Sequence, residues 1–139
     1  ELPKVSLRNQ GFSPVNFNHL FASEPTPRDV STRKAIVSLA RGEELATSYG
    51  CIGCHSLDGS TEGKSGPTWK GLYRSTRKLI DGTKVKAMED YLRESILDPT
   101  AKMLEGFDGT EAGMPPYKGI LSDEDVESLV IFIRSLHRL

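Results

Sequence analysis

The chain has 139 residues, with 18 Lys and Arg against 19 Asp and Glu, a net charge of −1 and 37% hydrophobic residues; this suits one domain with at most an appendage. An isoelectric point near 6.4 supplies no basic field to hold phosphates, so DNA and RNA are poor candidates for a partner. The longest wholly apolar run, Leu129 to Ile133, is five residues where a spanning helix needs about 20, so no crossing segment is expected, while the start at Glu1 leaves room for a removed export signal or an anchor upstream.

Residues 1–40 hold four of the eight prolines and three of the five phenylalanines, Phe12, Phe17 and Phe21. A disordered tail normally lacks that much aromatic content. The expectation is an irregular arm packed on the body, with a helix near Arg33 to Ala40, and a body over 41–139. His19 lies in this arm, where a lone histidine more often bonds locally than binds a metal. Gly42 to Tyr49 reads as a short helix whose Gly42 and Ala46, four apart, leave one face thin enough for close packing.

Both cysteines stand in Cys51-Ile52-Gly53-Cys54-His55. Two thiols three positions apart suit a redox disulfide, half of a zinc site, or addition to the two vinyl groups of a haem. With three histidines in 139 residues, chance would put one after Cys54 about 2% of the time. Haem c attachment requires it there, as the proximal ligand. Zinc would need a second ligand pair, and His19 and His137 are at distant, irregular spacing. A thioredoxin-like site would need a strand before Cys51, where the pattern is helical.

Segments 56–68 and 104–119 have loop composition, rich in Gly, Pro, Asp and Ser. Asp81-Gly82, within Lys78 to Val85, predicts a small hairpin. Tyr91, Leu92, Ser95 and Ile96 predict a helix closed by Asp98-Pro99. The iron's sixth position separates an electron carrier from a peroxidase-like or gas-binding haem, and Met88, Met103 and Met114 compete for it. Met88 and Met103 read as core or gap fillers. Met114 is the leading candidate, because Pro115 and Pro116 hold an extended loop and Gly113 allows close approach to the macrocycle. Finally, Ser122 followed by Asp125 resembles a capping box. Beyond it Val126, Leu129, Val130, Ile133 and Leu136 form a helical stripe flanked by Phe132 and running to Arg138.

With these features in place, residues 42–139 resemble a class I c-type cytochrome, in particular the haem c domain attached to subunit II of some bacterial cytochrome oxidases and its soluble relatives. Gly66-Pro67-Thr68-Trp69-Lys70-Gly71-Leu72 and the stretch from Tyr91 to Pro99 match that pattern as well. The resemblance implies an all-α cytochrome c fold, short helices wrapped around one covalent haem c. It further implies that Cys51 and Cys54 carry the thioethers, that His55 and Met114 are the axial ligands, that the Pro67 carbonyl accepts a hydrogen bond from His55, and that Leu72 packs on the haem. Gly42, Ala46 and Phe132 would form the contact of the first and last helices. Haem consumes both cysteines, so an oxidase's dinuclear copper centre has no place in this chain.

The function so implied is one-electron transfer rather than catalysis, by a monomer in the periplasm or on the outer face of the cytoplasmic membrane. A quinol-oxidising complex is the expected donor and a cytochrome oxidase the acceptor; a lipid anchor is compatible. The other reading, a peroxidase or gas-binding haem with a displaceable sixth ligand, would need distal polar groups, and no His–Arg pair stands out. Residues 49–57 and 112–117 contain no Asp, Glu, Lys or Arg. Ile52, Gly53, Pro115 and Pro116 therefore form an expected apolar docking patch, with modest dependence on ionic strength.

Overall fold

The computed structural model describes residues 36–107 and 113–138. The arm up to residue 35, including His19 and the three phenylalanines, lies outside the described residues. Among the described residues the elements are α1 (Leu39–Ser48), α2 (Cys51–Cys54), β1 (Thr76–Lys78), β2 (Lys84–Lys86), α3 (Glu89–Leu97) and α4 (Asp123–Ser135), the two strands forming a hairpin. A single 3-10 turn, Leu136–Arg138, follows α4.

The first helix starts three residues before its expected position. Ser38, in extended conformation, caps it by accepting the Arg41 N–H on its hydroxyl at 3.1 Å. Residues 36–38 are not helical, so the helix expected over Arg33 to Ala40 is corrected there: a β-region N-cap cannot sit inside a helix. Gly42 and Ala46 are buried on the face that meets α4. A Cβ at Gly42 would stand 2.1 Å from the Ser128 carbonyl oxygen and 2.7 Å from Phe132 Cβ, so the helices cross at a distance only glycine allows. Polar bonds fix the same crossing: Ser38 N donates to Ser128 Oγ at 3.3 Å, and Arg41 Nε to Asp125 Oδ1 at 3.0 Å.

At the start of α4, Ser122 Oγ accepts the Asp125 N–H at 3.1 Å, which is the expected half of the capping box. The Asp125 carboxylate is engaged by Arg41. Val126, Leu129, Val130, Phe132 and Ile133 are all buried, so Phe132 belongs to the stripe rather than beside it. Helix α3 buries Tyr91, Leu92 and Ile96 and stops at Asp98, before Pro99.

The hairpin pairs Thr76 with Lys86, Arg77 with Val85 and Lys78 with Lys84. Its strands flank rather than fill 78–85, because the turn takes five residues. Leu79 N donates to Thr83 O at 2.9 Å, and Asp81 Oδ1 accepts from Thr83 N at 2.9 Å around Gly82, whose φ is +83°. Residues 103–105 run alongside it, with Ile80 N donating to Met103 O at 3.0 Å. Met103 is half-buried there. Met88 is 37% exposed at the N-cap of α3, which corrects its expected role as core filler: the position before a helix start faces outward here.

Candidate haem site

Helix α1 ends at Ser48, and Gly50, at φ +73°, turns the chain sharply into α2. That left-handed turn is cheap only for glycine. It places Cys51 half-buried against the core and Cys54 exposed, with no disulfide between them.

His55 follows at once in extended backbone and is buried. Its Nδ1 lies 2.7 Å from the Pro67 carbonyl oxygen. A carbonyl can only accept, so this bond puts the proton on Nδ1 and leaves the Nε2 lone pair for a metal. Burial lowers the imidazole's pKa, the Pro67 bond opposes that effect, and the nearby Lys64 charge adds to it. The loop holding Pro67 is tied back by Gly66 N donating to Cys54 O at 3.0 Å and Trp69 N to Ser56 O at 2.8 Å. A Cβ at Gly66 would press to 2.6 Å from His55 Cε1, so glycine is required where the loop passes the ring.

Met114 is half-buried and packs against the core, between exposed Gly113 and the exposed pair Pro115 and Pro116. It lines a small apolar cavity together with Cys51, Trp69, Ile96, Tyr117, Leu129 and Ile133. The cavity thus joins the first thioether cysteine to the expected sixth ligand across walls that carry no charge. Met103 and Met88 do not line it. His55 reaches it through Trp69, whose ring stacks on the imidazole at 5.1 Å between centroids and 20° between planes. Leu72 is buried in the same core cluster but is not among the cavity residues.

Two residues of this site were not singled out from the sequence. Trp69 bridges the imidazole to the cavity and meets Phe132 edge-on at 6.2 Å, linking the site to the α1–α4 crossing. The available signal was a single tryptophan two residues after Pro67. Tyr117 lines the cavity, meets the Tyr49 ring edge-on at 5.7 Å and donates its hydroxyl to Tyr49 O at 3.3 Å. Its N–H donates to Ile96 O at 3.2 Å, which anchors the Met114 loop to α3. Nothing in local sequence marks that role.

The donor set fits a haem c. Two thiols three positions apart can form the thioethers, an imidazole is tautomerically set for iron, and the Met114 thioether lies on the same small apolar cavity as Cys51. Among solved structures the chain is similar to cytochrome cH from Methylobacterium extorquens, at 19% identity over 70% of this chain and 98% of that one, with a TM-score of 0.50; the likeness is one of fold. No curated protein matches the chain. Residues 39–137 match the family described as cytochrome c. With 99 of its residues in that match and Cys51, Cys54 and His55 in the attachment motif, the chain belongs to the cytochrome c family and is an electron-transfer protein carrying one covalent haem c.

Proposed function

We propose that this protein is a one-electron carrier with His55 and Met114 as axial ligands, working as a monomer between a quinol-oxidising complex and a cytochrome oxidase. The observation that carries the ligation is the apolar cavity shared by Cys51 and Met114, next to an imidazole whose Nδ1 is held 2.7 Å from the Pro67 carbonyl. Bound haem c supplies an iron that alternates between ferrous and ferric states. The protein's part is to keep both axial positions filled and the surroundings dry. The Pro67 carbonyl fixes the ring of His55 and raises its donor strength. Met114 offers a soft thioether, which favours the ferrous state. Pro115 and Pro116 restrain the loop backbone, so the sulfur is presented with little conformational freedom to lose.

Exchange with partners takes place at Ile52, Gly53, Pro115 and Pro116; the adjoining stretches of sequence carry no charged residue, and the fold brings the Lys64 cation to this patch, on the carbonyls of Ile52 and Gly53, so docking rests mainly on apolar contact. Haem is joined to thiols outside the cytoplasm in this family, so the protein acts in the periplasm or on the outer face of the cytoplasmic membrane, where a lipid anchor would keep it near its partners. Among the described residues no helix is long and apolar enough to cross a membrane.

Ferric and ferrous optical spectra of Met114→Ala and Met103→Ala test the ligation. Met114→Ala should lose the far-red band of thioether ligation and let the ferrous protein bind carbon monoxide, while Met103→Ala keeps the band. The opposite result reassigns the ligand. Carbon monoxide binding by the wild-type protein would favour a gas-binding or peroxidase-like haem.

A further inference from the structure

Helix α2 has four residues and therefore four carbonyls with little helix in which to satisfy them. Cys51 O accepts the His55 N–H at 2.9 Å, and Cys54 O accepts the Gly66 N–H at 3.0 Å. The remaining two are taken by one side chain: Lys64 Nζ donates to Ile52 O at 3.0 Å and to Gly53 O at 3.2 Å. Every carbonyl of the cysteine-bearing turn is thus accounted for, three of them by residues 64–66. Lys64 is half-buried, and it takes part in none of the ion pairs found among the described residues. Its charge is set against peptide dipoles and is not cancelled by a carboxylate. Lys70 is exposed, and the bond it makes among the described residues goes to Thr68 rather than to α2.

We propose that Lys64 is a positioning residue that sets the reduction potential: its ammonium clamps the carbonyl end of α2 and places a fixed positive charge beside the residues that hold the iron. The inference rests on the electron-transfer reading above. The oxidised centre carries one more positive charge than the reduced one, so a cation held nearby disfavours oxidation and raises the potential. A unit charge about 10 Å away, at an effective dielectric constant of about 20 to 40, changes such an equilibrium roughly four- to fifteenfold. Because the ammonium is half-buried and bonded twice, salt screens it less than an exposed lysine.

The test is a redox titration of the holoproteins, read from visible spectra in mediator buffers at low salt and at 1 M salt. At the potential where the wild type is half oxidised, Lys64→Gln should raise the ferric-to-ferrous ratio about fourfold or more, and the rise should persist at high salt. Lys64→Arg, which keeps charge and donors, should stay within about twofold of wild type. Lys70→Gln should move the ratio less, and its shift should vanish at high salt. An unchanged ratio in Lys64→Gln overturns the proposal, as does an equal, salt-sensitive shift in Lys64→Gln and Lys70→Gln. Should Lys64→Gln fail to retain haem, Lys64→Met, which keeps the apolar stem, is read against the same two outcomes. Loss of the Met114 assignment would leave this measurement standing, because the ratio is read whatever the sixth ligand.

Discussion

Replacing Gly42 with alanine separates helix propensity from tertiary packing with opposite signs. Taken alone, Gly→Ala within a helix should stabilise by about 1 kcal/mol. Here the new Cβ would meet the Ser128 carbonyl oxygen at 2.1 Å and the carbonyl carbon at 2.7 Å. Both are backbone atoms of α4, so no side-chain rotation relieves the clash. The helices must part by more than 1 Å to bring the closest contact to the 3.4 Å of ordinary packing. Parting them also loosens Phe132 on Trp69 and lengthens the Ser38 to Ser128 and Arg41 to Asp125 bonds. Overpacking of this kind costs about 1–3 kcal/mol, occasionally more, and a hydrogen bond stretched at the same crossing adds about 1 kcal/mol. After the propensity gain is subtracted, a net loss of about 2 kcal/mol is expected, or roughly 8–15 °C in Tm for a body of this size. Urea and thermal unfolding of the holoprotein, followed by far-ultraviolet circular dichroism, measure it. If Gly42→Ala is as stable as wild type or more so, the crossing is not set by steric contact and the packing argument fails.

Two further expectations test the site and its surroundings. Gly66→Ala should push His55 off the Pro67 carbonyl, because its Cβ would lie 2.6 Å from Cε1 and 2.8 Å from Nδ1; haem per polypeptide in a pyridine haemochrome assay should fall several-fold, and full occupancy with an unaltered spectrum would count against a fixed ring. Glu89 is held below its usual range, first by the Tyr73 hydroxyl donating to it at 2.7 Å and further by Arg134 nearby. Its stabilising effect is therefore complete above the ordinary glutamate pKa of about 4.3 and fades as pH falls through the lower folded value. Glu89→Gln should lower the urea midpoint at pH 7 and shrink the loss between pH 7 and pH 3; an undiminished acid loss refutes the assignment.

The sequence by itself determined whatever depends on neighbours in the chain. Covalent haem attachment needs two thiols and an imidazole at fixed short spacing, so Cys51, Cys54 and His55 were legible without any structure. The apolar stripe of α4, the stop of α3 before Pro99 and the Asp81-Gly82 turn are likewise written in periodicity and local backbone sterics. The Gly-Met-Pro-Pro sequence made Met114 a candidate for the sixth ligand, an assignment that stands as a proposal. Tertiary structure decided what depends on partners far along the chain. The cap that starts α1 at Ser38 lacks an acidic partner three residues on; Arg41 stands there instead and finds Asp125, 84 residues away. Met88 looked like core material because apolar composition does not say which way a helix start faces. Trp69 on His55, Tyr117 on Tyr49 and Lys64 on the carbonyls of α2 join segments whose spacing encodes no period. Such contacts arise only once the α1–α4 crossing and the returning loops bring their surfaces together, since side-chain packing and the satisfaction of buried carbonyls are settled in space rather than along the chain.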